Sequence, residues 1–154
     1  MQKVTIKNIS DFESRLVEVN GWVYNSRRSG KIGFLMVRDG FGLLQCIIEK
    51  SHIGEENFNE FKKITQETSI TIKGKVVENN RAEGGYEVFV DSFIVHQLSI
   101  DYPITPKEHG TDFLMNNRHL WLRSKRQHAI LKVRHQIIKS IRDFFDSNDF
   151  TLVD

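Results

Sequence analysis

The chain has 154 residues, 39% of them apolar and 27% charged, and its 22 basic and 20 acidic side chains leave a formal net charge of +2. These values exclude a disordered chain, and they allow one well-buried core plus part of a second unit. The single cysteine excludes an internal disulfide framework and favours a reducing compartment. Because no signal peptide or membrane-spanning run is present, we expect a cytoplasmic protein.

The first strong pattern is an alternation of apolar and polar residues over 16–24. Val17, Val19 and Val23 fall on one face, which we assign to the core. Gly21 interrupts the run, and a glycine inside a strand predicts a bulge or a sharp bend. A strongly coiled first strand is typical of a small closed barrel.

Two further strands are predicted over 32–38 and 43–49, joined at Asp39-Gly40. Asp-Gly between apolar alternations is typical of a two-residue type I′ turn. That turn places Phe34 directly opposite Gln45 on one face of the sheet. The other face carries the residues that we assign to the core, namely Leu35, Val37, Leu44, Cys46 and Ile48.

The pattern becomes helical over 55–65 and then returns to strands over 69–77 and 86–95. The order is therefore three strands, a helix and two strands. This order predicts a mainly β fold, the five-stranded Greek-key OB barrel with a helix between its third and fourth strands. The second and third strands of such barrels commonly face a nucleic-acid strand.

Both prolines of the chain, Pro103 and Pro106, lie in one stretch that suits an extended connector. We therefore predict a barrel domain over 1–98, a hinge over 99–112 and the beginning of another domain over 113–154.

A long one-sided helix is predicted in the last of these segments, because Ser124 and Gln127 form a capping box. Its apolar stripe would pack against a further domain or form a subunit interface. Phe150 begins a strand-like run, and we expect the natural chain to continue past Asp154. The stripe consists of Ile130, Val133, Ile137, Ile138, Ile141, Phe144 and Phe145.

Residues 113–142 contain no aspartate or glutamate. A segment of this kind favours a polyanionic partner, although a solvated helix face explains the same charges, and the sequence leaves both interpretations open. Its cationic residues are Arg118, Arg123, Lys125, Arg126, Lys132, Arg134, Lys139 and Arg142.

No catalytic residue and no metal ligand is predicted in this chain. It lacks a phosphate-binding glycine loop, a zinc-binding histidine pair and a nucleophile motif, and its 6 histidines show no metal-ligand spacing. Cys46 is interpreted as a small buried apolar residue and not as a nucleophile.

A nucleic-acid site is better supported by the residues around Phe34. Single-strand binders combine aromatic rings with basic grooves, and the Gln45 amide both donates and accepts hydrogen bonds. Arg27, Arg28 and Lys31 supply positive charge, and we expect the last two to contact phosphate. The alternative is that Phe34 closes a mouth of the barrel and the cations are solvated loop residues.

The segment GWVYNSRRSGKIGFLMVRDGFGLLQCII (21–48) resembles the anticodon-binding OB domain of the class IIb aminoacyl-tRNA synthetases, the aspartyl, asparaginyl and lysyl group. Residues 101–154 resemble the hinge and the opening of the catalytic domain in the asparaginyl branch. This resemblance spans essentially the whole chain, and its most specific parts are YPITPKEHGT and RHLWLRS.

The resemblance implies a role for four residues. Phe34 matches the aromatic residue that stacks on the central anticodon uridine, and Gln45 matches the neighbouring amide that recognises a base. Arg27 matches the arginine beside them. Glu87 lies near the acidic position that recognises the third anticodon base in the aspartyl relatives.

The resemblance also implies an asparagine–tRNA ligase, in which the full-length enzyme activates asparagine with ATP and Mg²⁺ and charges tRNA(Asn). The helix after Ser124 would form a homodimer interface. Motifs 2 and 3 of this family are absent, so these residues alone are predicted to be inactive and to bind no cofactor. The alternatives are a non-catalytic OB-fold paralogue that binds tRNA or single strands, and an aspartyl-tRNA synthetase.

Overall fold

The structure is a computed structural model that describes residues 1–153. The chain divides into two compact units, Met1–Tyr102 and Pro103–Asp154, which are described separately. The limits of the barrel, hinge and second domain set out above stay predictions.

A closed barrel forms the first unit. β2 pairs antiparallel with β3, β3 with β4, and β5 with both β6 and β2, while β4 pairs parallel with β6. This ring confirms the predicted five-stranded barrel, and the sixth strand, β1, pairs parallel with β2. The elements are β1 (Gln2–Val4), β2 (Leu16–Ser29), β3 (Ile32–Arg38), β4 (Leu43–Glu49), α1 (Lys50–Phe61), β5 (Ser69–Glu78) and β6 (Tyr86–Gln97).

The core lies on the faces that the alternation predicted. Val17, Val19 and Val23 are fully buried, as are the inner residues of β3 and β4. Helix α1 packs against this core through Phe58 and Phe61, which are each 2% exposed. The barrel interior is therefore filled by apolar side chains.

β2 belongs to two pairings, because its first half lies beside β5 and its second half beside β3. Of the bulge or bend predicted at Gly21, the bulge does not lie there, since the register of β2 against β3 shifts between Val23 and Asn25. Gly21 has a different role. A Cβ there would lie 2.5 Å from the backbone oxygen of Arg38, so only glycine allows β3 to approach this closely.

The predicted two-residue turn between β3 and β4 is also wrong. Arg38 pairs with Leu43, so the loop has four residues, 39–42. Phe34 therefore faces Ile47 and does not face Gln45. The slip is two residues, which keeps Phe34 and Gln45 on the same face as diagonal neighbours.

The carboxylate of Asp39 stabilises this wider loop. One oxygen accepts hydrogen bonds from the backbone N–H groups of Phe41 at 2.7 Å and Gly42 at 3.1 Å. The other oxygen accepts from the backbone N–H of Ile6 at 2.8 Å, which ties the loop to the start of the chain. These hydrogen bonds stabilise the four-residue loop. Gly40 does not have the positive φ that a type I′ turn would require.

The second unit contains three helices, α2 (Thr111–Asn116), α3 (Arg118–Trp121) and α4 (Lys125–Asp146). Ser124 caps α4 by accepting a hydrogen bond from the backbone N–H of Gln127, which is the serine half of the predicted capping box. The run at 150–153 forms no strand, because a strand needs a partner and none lies beside it in the described part of the chain. Within residues 1–153, no helix is both long and apolar enough to cross a membrane.

Candidate nucleic-acid interface

The outer face of the β3–β4 hairpin carries an aromatic ring, an amide and two apolar side chains, all half-buried. These are Phe34 and Met36 from β3 and Gln45 and Ile47 from β4. Since alternate residues of both strands fill the core, this set faces outward. Phe34 therefore lies on the outer surface of the barrel and not in its core.

Arg27 lies over the ring of Phe34. The two residues are paired partners in the β2–β3 register, and the guanidinium carbon is 4.2 Å from the ring centroid. This is a cation–π contact, which favours a guanidinium parallel to or above the ring. The stacking surface and its positive charge are thus preorganised by strand pairing alone.

A buried carboxylate orients the amide of Gln45. The Nε2 of Gln45 donates to the Oε2 of Glu87 at 2.9 Å, and the Nδ2 of Asn79 donates to the same oxygen at 2.9 Å. The Glu87 residue is only 6% exposed. With one N–H of Gln45 committed to Glu87, its carbonyl oxygen and its second N–H remain for a ligand.

These three side chains come from three different strands or their ends. Gln45 and Glu87 are partners in the parallel β4–β6 pairing, and Asn79 directly follows β5. Asn79 lies between the strands predicted over 69–77 and 86–95, and no pattern in the sequence indicated its contact with Glu87. The structure thus brings together Arg27 with Phe34 and Gln45 with Glu87, as two pairs on adjoining strands.

Arg28 and Lys31 flank the β2–β3 turn and are exposed. Gly30 supplies the positive φ of +59° that this turn requires. Both cations follow Arg27 within a few residues and place positive charge at the end of this hairpin. Arg28 pairs with Gly33, so it lies on the opposite face of the hairpin from Arg27 and Phe34. Exposed positive charge of this kind attracts the negatively charged phosphate backbone of a nucleic acid.

Cys46 lies between these outer residues but points into the core and is fully buried. Burial raises the pKa of its thiol well above the ordinary value, and the nearby charge of Glu87 raises it further. The thiol therefore stays protonated, and the interpretation of Cys46 as an apolar core residue holds.

The described residues, 1–153, contain no cluster of histidine, cysteine and carboxylate side chains that could hold a metal ion. The arrangement on the hairpin instead offers a ring, a fixed amide and exposed cations. Such a site can stack a base, hydrogen-bond its edge and contact phosphate, which is the chemistry of single-strand binding.

Two family models match the chain. The OB-fold nucleic acid binding domain matches residues 17–95, and the class II tRNA synthetases (D, K and N) match residues 110–154. The first match covers the barrel with its ring and amide, and the second covers the helical unit.

Named relatives agree with these matches. The chain is 51% identical to the asparagine–tRNA ligase of Sorangium cellulosum (strain So ce56), over 98% of this chain and 34% of the relative. It aligns with the crystal structure of asparaginyl-tRNA synthetase from Pyrococcus horikoshii complexed with asparaginyl-adenylate at a TM-score of 0.90 and 33% identity. That alignment covers 99% of this chain and 36% of the other.

A putative aspartyl-tRNA synthetase from Leishmania major Friedlin shares the fold at a TM-score of 0.87 but only 18% identity, over 99% of this chain and 33% of the other. The higher identities are those to asparaginyl enzymes, so the aspartyl alternative is not favoured. The chain spans about a third of the length of these relatives. It belongs to the family of OB-fold nucleic acid binding domains and corresponds to the N-terminal region of asparaginyl-tRNA synthetases.

Proposed function

We propose that the barrel binds the anticodon of tRNA(Asn) and that the whole protein is an asparagine–tRNA ligase. The whole protein would activate asparagine with ATP and Mg²⁺ and then esterify it to the tRNA. The relatives named as asparagine–tRNA ligases support this assignment, as does a related structure that contains asparaginyl-adenylate.

One observation carries the anticodon proposal, the placement of a stacking ring diagonal to an oriented amide on the outer barrel face. A base that stacks on Phe34 lies beside the free carbonyl oxygen and N–H of Gln45. Uracil presents both a donor and acceptors on its pairing edge, so one amide can satisfy it. Arg28 and Lys31 would contact the flanking phosphates.

Arg27 lies over the Phe34 ring in the unbound chain. A base that stacks on this face takes the place of the guanidinium, which then moves toward phosphate. The ring thus exchanges a cation–π contact for a base stack, and the stack is worth roughly 1 to 3 kcal/mol.

The apolar stripe of α4 supports a homodimer in the whole protein. The stripe residues defined above from Ile130 to Phe145 are exposed. Burial of such a face against a second copy would remove several large apolar side chains from water.

The activity is tested with the product of the whole gene, by amino-acid-dependent exchange of pyrophosphate into ATP. We expect exchange with asparagine and none with aspartate. Exchange with aspartate would assign the protein to the aspartyl enzymes, and no exchange with either would support a non-catalytic RNA-binding paralogue.

Glu87→Gln is expected to weaken binding of an asparagine anticodon stem-loop about threefold to tenfold. The substitution removes the negative charge of the group that accepts two hydrogen bonds. A hydrogen bond to a charged group contributes roughly 1 kcal/mol more free energy than a hydrogen bond between neutral groups. Fluorescence titration measures the change.

The control for this variant is Glu78→Gln. Glu78 is exposed at the end of β5, and its substitution removes the same charge from the same region. Because loss of a negative charge by itself favours RNA binding, the control variant should bind slightly more tightly than the unsubstituted chain. Equal affinities of the two variants would show that Glu87 does not position Gln45.

A further inference from the structure

One face of α4 carries a continuous line of nitrogen cations and imidazoles, which we name the basic stripe. Its members are three or four residues apart, so they lie one above another on the helix surface. All are exposed. From first to last they span 18 residues, or about 26 Å at a rise of 1.5 Å per residue. They are Lys125, His128, Lys132, His135, Lys139 and Arg142.

The basic stripe and the apolar stripe of the same helix meet only along one edge. At about 100° per residue, Lys132 lies roughly 160° around the helix from Ile130 and roughly 140° from Ile137, whereas Arg142 lies only about 40° from Ile138. A second copy or a further domain that packs on the apolar stripe therefore need not cover the lysines of the basic stripe. No apolar residue interrupts the basic stripe itself.

Helix stability does not account for this charge arrangement. α4 has no acidic residue in its first turn, and it begins with Lys125 and Arg126, where the helix dipole disfavours positive charge. Its acidic residues, Asp143 and Asp146, lie at the other end, where negative charge is disfavoured. Lys139 and Arg142, which are three residues apart, also repel one another.

Asp143 offsets part of this repulsion, since its carboxylate pairs with Lys139 at 2.5 Å and both side chains are more than half exposed. An exposed pair of this kind contributes little free energy. The other permanently charged members, Lys125, Lys132 and Arg142, are all positive and are distributed over nearly five turns of helix. A surface of this form is complementary to a linear polyanion.

We propose that the basic stripe of α4 binds the phosphate backbone of RNA without sequence preference. Ammonium, guanidinium and imidazole N–H groups all donate to phosphate oxygens, and a helical spacing of three or four residues brings successive donors about 5 to 6 Å apart. A protein partner is less well matched, because protein interfaces have an apolar core and the stripe has none.

This surface is distinct from the Phe34 site, and the proposal does not depend on anticodon recognition. Anticodon binding needs unpaired bases, whereas a phosphate surface also binds a duplex. A blunt RNA duplex without a loop is therefore the probe that separates the two sites.

The test compares two double variants of the 154-residue chain in titrations of this duplex at several salt concentrations. Lys132→Gln with Lys139→Gln removes two charges from the stripe. Lys62→Gln with Lys63→Gln removes two charges from exposed residues that follow α1. Circular dichroism should show unchanged helix content in both.

We expect the stripe variant to bind severalfold more weakly and its log–log salt slope to fall by about 2, since each lost phosphate contact lowers the slope by about 1. The control should retain most of the affinity and slope. Phe34→Ala should leave duplex binding unchanged even if it abolishes stem-loop binding, so the two proposals can fail independently.

The proposal is overturned if the stripe variant and the control lose the same affinity. RNA binding would then depend on the net charge of the chain and not on the position of the cations. It is also overturned if polyglutamate competes with the duplex at equal charge concentration, which would identify an acidic protein as the better partner.

Discussion

Phe34→Ala is expected to weaken binding of an asparagine anticodon stem-loop by roughly 1 to 3 kcal/mol, or about 5-fold to 150-fold. The substitution removes the ring on which the central base stacks and leaves Arg27 without its cation–π partner. Because Phe34 is half-buried on the outer face and lies outside the core, the barrel should remain folded. Fluorescence titration gives the affinity, and thermal unfolding reports the fold.

Phe41→Ala is the matched control. Phe41 lies in the β3–β4 loop and is 57% exposed, and the Nζ of Lys7 is 5.9 Å from the centroid of its ring. The control thus loses a ring with a nearby cation from the same hairpin, away from Gln45. We expect no more than a small change in affinity. Equal losses in the two variants, or no loss with Phe34→Ala, would contradict the assignment of Phe34 as the stacking residue.

Arg38→Ala is expected to lower the free energy of unfolding by about 3 to 5 kcal/mol. The guanidinium of Arg38 donates to both carboxylate oxygens of Glu67 at 2.8 and 2.7 Å, and the Glu67 side chain is only 4% exposed. Removal of the arginine leaves a buried carboxylate without this partner. Urea unfolding followed by fluorescence measures the loss.

Two comparisons make this result specific. Arg28→Ala removes an exposed arginine and should change stability by less than about 0.5 kcal/mol. Replacement of both partners, Arg38→Met with Glu67→Met, should restore much of the loss because no buried charge remains. If Arg38→Ala is as mild as Arg28→Ala, the pair does not stabilise the junction between β3 and the segment before β5.

The faces of the barrel strands could be predicted because burial follows a period of two along each strand. Val17, Leu35 and Cys46 were assigned to the core from alternation alone, and all are fully buried. Register could not be predicted in the same way. Asp39 accepts a hydrogen bond from the backbone N–H of Ile6, which is 33 residues away in the sequence. Turn rules use only the residues of the turn itself, so they cannot predict such a contact.

The candidate site was predicted in part for the same reasons. Phe34 and Gln45 fall on one face in either register, so a slip of two residues left that prediction intact. The Glu87 contact depends on the parallel β4–β6 pairing, which periodicity within a single strand does not specify. Asn79 joins the same carboxylate from the end of another strand, and no local pattern marked it.

The start of α4 could be predicted from the sequence, but the partner of its apolar stripe could not. Helical periodicity and the Ser124 cap predicted its start, and the structure begins the helix at Lys125. The partner of its apolar stripe is not specified by any residue within the helix. The basic stripe follows from sequence and helix geometry together, since the six residues align only when the chain is wound at 3.6 residues per turn.

The central claim, that this barrel recognises an anticodon through Phe34 and Gln45, is tested most directly by a change in the RNA. The measurement is a titration of the 154-residue chain with the asparagine anticodon stem-loop and with the same stem-loop carrying cytidine in place of the central uridine. We predict about tenfold weaker binding of the cytidine form, because mispaired polar groups beside Gln45 cost roughly 1 to 3 kcal/mol. Equal affinity for the two RNAs would contradict the account.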